Sequence, residues 1–199
     1  MTFTPLPALR SLLLLSLALL SGCASLSPQT LWALSQFDPL NADPAAIAVA
    51  VGMQEQWQLR DGDAEMRFMF MLEGANSPAV NELFALHSAV AADGTTPPPL
   101  VGEVVYRVQI AAADHERLRL AQQRVRQFKA DGLKGQGTLE IEVMGGCHHG
   151  PLPATLMVRT FIQTDPDVGF MPLSSQLDLF TELDETGLAE LQSRLRPCT

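Results

Sequence analysis

The chain has 199 residues, 13 Lys and Arg against 22 Asp and Glu for a formal charge of −9, 47% hydrophobic residues, 14 Gly and 14 Pro. That size supports one hydrophobic core, and the composition excludes the collagen-like and disordered classes. The negative charge argues against nucleic-acid partners, whose phosphates are held by Lys and Arg, and no apolar run reaches the ~20 residues of a spanning helix. Arg10 is the only charged side chain before Asp38, and it precedes residues 12–20, which are apolar except for Ser16. A basic residue, an apolar run of ~7–15 residues and small residues behind it are the parts of an export signal. A buried helix fits less well, because Ser21, Gly22, Ser25 and Pro28 would break its end.

Leu20-Ser21-Gly22-Cys23 resembles the lipobox of bacterial lipoproteins, in which a small pair precedes an obligatory cysteine behind the apolar run. The resemblance covers residues 1–25 and implies a signal peptide at 1–22, cleavage before Cys23, a diacylglyceryl thioether on its sulfur and acylation of the new amino group. By the family's sorting pattern an Asp after the cysteine retains the protein in the inner membrane. Ala24 and Ser25 lack that mark, so the implied location is the outer membrane, with the domain facing the periplasm. Each buried methylene contributes ~0.8 kcal/mol, so two or more chains hold a protein on a bilayer where one does not. The implied partner is therefore the membrane itself, through the lipid on Cys23.

Residues 23–45 read as a lipidated amino terminus and a tether, which ends by docking Leu31, Trp32, Leu34 and Phe37. Residues 46–199 read as one α+β domain. Period-two alternation recurs along it: Met66, Phe68, Phe70 and Leu72 share one strand face, Glu65, Arg67 and Glu73 the other. Met69 and Met71 fall on the polar face, whose default cover is the protein itself. Val104, Tyr106, Val108 and Ile110 repeat the alternation, as do Leu139, Ile141 and Val143, then Leu156, Val158, Thr160 and Ile162. The last two runs are expected to form a hairpin around a loop at 145–151. A further strand runs through Leu173, Ser175, Leu177 and Leu179, with weaker ones at 46–51, 54–60 and 80–88, and residues 92–99 form an exposed loop. In residues 114–131 Leu118, Ala121, Val125 and Phe128 recur at helical spacing, with Asp114 to cap the start and Gly132 to stop the end. A second helix is expected at 184–195. The fold class is α+β, an antiparallel sheet of about six to eight strands with one inserted and one C-terminal helix.

With Cys23 lipidated, Cys147 and Cys198 remain, an even number in an exported chain, and are expected to pair. Cys147, His148 and His149 also offer soft metal ligands, but three consecutive residues do not readily converge on one ion. No metal or other cofactor is expected. Gly132, Gly135 and Gly137 follow a helix and open a strand, the reverse of a dinucleotide fingerprint. Arg119 stands where a zinc protease needs the second His after His115-Glu116, and Met66 stands where a calcium loop beginning at Asp61 needs glycine. No Gly-x-Ser-x-Gly elbow occurs, and no catalytic residue is assigned.

Six of the 13 basic residues fall in one helix and its C-terminal turn: Arg117, Arg119, Arg124, Arg126, Lys129 and Lys134. They are the candidate contact for an anionic surface, against the plainer reading of a solvated helix face. The function expected is a lipid-anchored outer-membrane protein with a non-catalytic binding or envelope-assembly role and an envelope protein as candidate partner. The alternatives are a carrier of an apolar ligand such as a lipid or lipidated peptide, held between sheet and helix, and a hydrolase whose site only spatial geometry would reveal.

Overall fold

The computed structural model describes residues 37–199; the signal peptide, the lipobox with Cys23, and Leu31, Trp32 and Leu34 of the tether lie outside the described residues. The protein is α+β. A curled antiparallel sheet of seven strands carries β1 (Ala48–Gln54), β3 (Ala64–Leu72), β4 (Val80–Val90), β5 (Glu103–Ile110), β6 (Gly135–Val143), β8 (Met157–Gln163) and β9 (Met171–Asp178). Its order is β6-β3-β4-β5-β1-β8-β9. A second sheet sets β7 (Gly146–His148) between β2 (Trp57–Gln58) and β10 (Leu195–Pro197), antiparallel to the first and parallel to the second. The helices are α1 (His115–Ala130), α2 (Leu179–Glu182) and α3 (Glu185–Arg194).

Side-chain alternation places the core on one face of the large sheet. Val49, Val51, Met66, Phe68, Phe70, Phe84, Tyr106, Val108 and Ile110 are all buried there. In α1 the apolar stripe of Leu118, Ala121 and Val125 joins the same cluster, and Phe128 stacks on Phe70 with ring centroids 6.3 Å apart. Gly132, at φ +78°, ends the helix in the left-handed region that only glycine enters cheaply, while Leu133 N–H donates back to the Phe128 carbonyl at 2.9 Å. Asp114 does not cap the helix with its side chain; it stands 3.3 Å from the Arg117 guanidinium instead. Asp184 does cap α3, accepting from Gly187 N–H at 2.8 Å.

The runs through Leu139–Val143 and Leu156–Ile162 are not a hairpin. They lie first and sixth in the sheet, where β6 pairs with β3 and β8 lies between β1 and β9. Alternation reports which face of a strand is buried and carries no information about its partner. The loop expected between them contains β7, and its three residues are buried. Met71 is 38% exposed while Met69 is half-buried beside Asp38, Pro39 and Leu40, so the cover expected for this face is partial.

β1, near the middle of the sheet, is buried on both faces. Its outer face presents Ala48, Ala50 and Gly52 before Gln54 at its end, so the strand carries little side-chain bulk there. A Cβ at Gly52 would come 2.3 Å from Glu103 Oε1, so glycine is required where the Glu103–Arg159 ion pair crosses the strand. Arg159 Nε donates to Glu103 at 2.8 Å, and the pair's side chains are 16% and 8% exposed for Arg and Glu. The pair also holds the preceding loop, through Leu100 N–H to Glu103 and Arg159 to the Pro98 carbonyl. At the far edge, β9 carries Pro172 and its pairing with β8 shifts register twice.

Burial pushes the Glu103 carboxyl up, but the hydrogen bonds from Arg159 and Leu100 N–H outweigh it and leave its pKa below the usual carboxylate range. The contribution to stability is therefore complete above the unfolded pKa, ~4.3, and is lost as the pH falls through the folded value. Glu103→Gln strands a nearly buried guanidinium and is expected to cost about 3 kcal/mol at pH 7. Denaturant unfolding of both proteins should show that difference narrowing steadily below pH 4; a pH-independent difference would contradict the assignment.

Candidate functional site

A groove lies between the C-terminal end of β6 and the α2–α3 pair. Its cavity volume is about 480 Å³, and Ile141, Val143, Met144, Leu179, Leu183 and Leu191 give it an apolar floor. The size falls within the ~300–1,000 Å³ of ligand sites. Ile141, Glu142 and Val143 of β6 and Met144 just after it line it. Because successive strand residues point to opposite faces, that lining means the groove meets the strand along its edge. Among the described residues β6 is the terminal strand of the sheet, and this edge has no partner strand.

Three features hold the two walls apart. The end of β6 is pinned by Met144 N–H and Gly145 N–H, which donate to the Asp63 carbonyl at 2.7 and 3.1 Å. Arg194 pairs with Glu190 one turn earlier in α3 and reaches the Met144 carbonyl at 3.4 Å, closing one end of the groove. The small sheet then fixes the chain that follows α3. Leu195, Arg196 and Pro197 run parallel to Gly146, Cys147 and His148, and Cys198 N–H donates to the His148 carbonyl at 2.9 Å. The sulfurs of Cys147 and Cys198 stand at bonding distance, 2.08 Å, with Cα atoms 5.0 Å apart.

Behind the groove lies an enclosed apolar cavity of about 90 Å³, walled by Val51, Met53, Trp57, Leu156, Val158 and Leu195 among others. Val143 and Leu179 border both spaces. The sheet's curl explains how Val143 at the end of β6 meets Val158 of β8. Trp57, 2% exposed, donates Nε1–H to the Thr155 carbonyl at 3.2 Å and meets the rings of His148 and Phe180 edge-on.

His148 is accordingly a packing partner of Trp57. It is buried, its Nδ1 lies 3.0 Å from the Gly150 carbonyl, and its neighbour Cys147 is occupied by Cys198, while His149 is exposed. Among the described residues no group of His, Cys, Asp and Glu is placed to hold a metal ion.

The basic helix is largely engaged inside the protein. Arg117 lies 4.1 Å above the Phe84 ring, donates to the Leu83 carbonyl at 2.8 Å and pairs with Glu82 and Asp114. Arg119 pairs with Asp43 and Glu116, and Arg126 donates to the Leu40 carbonyl. Gln122, which the sequence places among the polar residues of α1, is 3% exposed and donates to the carbonyls of Pro39 and Ala42 at 2.8 and 2.9 Å. These bonds strap residues 38–43 onto α1. Asp38, in this strap, has its pKa lowered first by the Asn41 side chain and the Leu40 N–H, and further by Lys129 nearby. Arg124, Lys129 and Lys134 make no ion pair among the described residues, so an anionic surface would meet chiefly these three.

The groove itself was not legible in sequence, because its walls lie some forty residues apart and its strand looks like half of a hairpin. Comparison with protein-family models, curated proteins and solved structures returned no match.

Losing the Cys147–Cys198 link, which closes a span of 51 residues, is expected to cost about 4 kcal/mol in the chain-entropy model. In a Cys147→Ser/Cys198→Ser variant, amide hydrogen exchange should accelerate first in α3 and β10, with β3 and β4 affected only at the global unfolding rate. Uniform acceleration would mean that the link does not anchor the groove's helical wall.

Proposed function

We propose that the chain is an outer-membrane lipoprotein whose folded domain binds an envelope partner in the groove between β6 and α3. The observation that carries the binding reading is the groove itself: an apolar floor next to an open strand edge, with walls held by backbone hydrogen bonds, the small sheet and a cysteine pair. The lipobox supports the location, and an exported chain is the setting in which two cysteines at bonding distance stay paired. Lipid on Cys23 would confine the domain to a surface, raising its effective concentration toward partners there without any additional contact. Of the ionisable residues that line the groove, Glu190 and Arg194 are paired with each other, and Glu142 borders it from the outer face of β6. That arrangement suits recognition better than proton transfer.

A second reading, a carrier of an apolar ligand, is favoured by the wall that the groove shares with the enclosed cavity. Volume weighs against it. The enclosed space of about 90 Å³ is smaller than the ~150 Å³ that accommodates benzene, so an acyl chain would have to lie in the open groove.

Two measurements test the proposal. Cys23→Ala should move the chain from the membrane fraction to the soluble fraction, and undiminished pelleting after a salt wash would overturn the anchor. A photocrosslinking residue at Leu183, on the groove rim, should give a discrete adduct in the native envelope, whereas one at Val168, 64% exposed in the turn before β9, should not. Equal labelling from both positions would overturn the groove as the binding site.

A further inference from the structure

The open edge of β6 carries a specific chemical pattern. In an antiparallel pair only alternate residues turn their backbone N–H and C=O groups toward the partner strand, so the remaining groups of β6 point away from β3. Among the described residues no strand lies beyond them, and no side chain bonds to them before Met144, whose carbonyl receives Arg194. Near its start β6 is flanked by the strap, since Asp38, Pro39 and Leu40 line a hollow with Gly137, Thr138 and Leu139. From Glu140 onward the edge faces the groove.

The two faces of this edge differ. On the groove side stand Ile141 and Val143, with Leu183 and Leu191 across from them. On the outer side stand Glu140 and Glu142. Glu140 is directly opposite Arg67 of β3, whereas Glu142 is directly opposite Glu65, a like-charged cross-strand pair of which neither member forms an ion pair among the described residues, so the excess of acid sits at Glu142. Such pairs are destabilising, and a cation brought alongside relieves them. A strand added to β6 places its residues in the same alternation, one set facing the groove floor and the next set beside Glu140 and Glu142.

We propose that the groove takes an extended peptide segment of a partner protein, which adds to β6 as an eighth strand with apolar side chains on the floor and Lys or Arg beside Glu142 and Glu140. This rests on the reading of the groove as a binding site and names the class of partner. Backbone hydrogen bonds supply affinity in this mode, and the alternating side chains supply selectivity. A second copy of this chain fits poorly. Antiparallel pairing of two β6 strands centred on Ile141 would set Glu140 of each against Glu142 of the other, adding like charge to an edge that already has an excess.

The test uses the purified full-length chain and a capped seven-residue peptide of alternating Lys and Val, with binding followed by fluorescence anisotropy. The expected result is saturable one-to-one binding, at least tenfold weaker for the matching Glu–Val peptide. Glu142→Lys, at an exposed position, should invert that preference. Two further peptides leave the protein untouched: N-methylation of alternate residues along one edge of the Lys–Val peptide should abolish binding, and along the other edge should spare it. Equal binding of the Lys and Glu peptides overturns the charge assignment. Equal tolerance of both N-methyl patterns overturns strand addition, as does binding of a fatty acid in place of every peptide. A β6-dependent dimer that Glu142→Lys disrupts would identify a second copy as the occupant and likewise overturn the proposal. If the envelope adduct at Leu183 forms while all peptides fail, the groove still binds a partner but not as a strand; if the adduct is missing and the peptides bind, the site is sound and its location in the envelope is wrong.

Discussion

A sheet with one apolar face must be covered across its whole width, and among the described residues one long helix is available to do so. The helix α1 covers the part of the sheet around β3 and β4 through Leu118, Ala121, Val125 and Phe128. At about 25 cal/mol per Å² of apolar surface, leaving the remainder in water would outweigh a typical net stability. The cover for β1 and β8 is assembled from pieces: Trp57 and Leu59 after the first strand, Leu156 before β8, and Leu179, Phe180, Leu191 and Leu195 from the C-terminal segment. Short pieces with little regular structure need other restraints, and the three-stranded mixed sheet and the Cys147–Cys198 pair provide them. The groove arises where this composite cover and the end of β6 do not quite meet.

This division of labour explains which parts of the molecule could be read from the sequence. Strands β3, β5 and β8 and helix α1 announce themselves because each buries one regular face, and the spacing of apolar residues records that directly. β7 does not, because Gly146, Cys147 and His148 have the composition of a loop, and only their position between β2 and β10 makes them a strand. Pairing was illegible for a related reason. β6 returns after α1 to lie beside β3, a choice set by the register of Met66 with Ile141 and Phe68 with Leu139 rather than by anything adjacent in the chain. Gln122 misleads in the opposite sense, as a polar residue buried to satisfy two carbonyls of the strap.

Charge is distributed by similar logic. The basic residues of α1 look like a surface patch when read in line, yet Arg117, Arg119 and Arg126 are bound to Glu82, Asp43 and the Leu40 carbonyl, elements that converge on the helix from either side. They hold neighbours in place. The excess of acid is left elsewhere, and on the outer face of β3 and β6 it includes Glu65 and Glu142 side by side. A sequence shows how much charge a protein carries; which of it remains uncompensated is a property of the fold.

The two margins of the large sheet are unequal. On β9, proline removes a donor and two register shifts bend the ladder away from regularity, which is how natural sheets discourage stacking. β6 has no such defect. A sheet blocked on one side can be extended in one direction only, and a newcomer at β6 would present its own far edge in place of the original. Head-to-tail growth between copies of this domain, which would set β6 of one against β9 of the next, is thereby blocked at its first contact, and the domain can carry an open strand without seeding fibres.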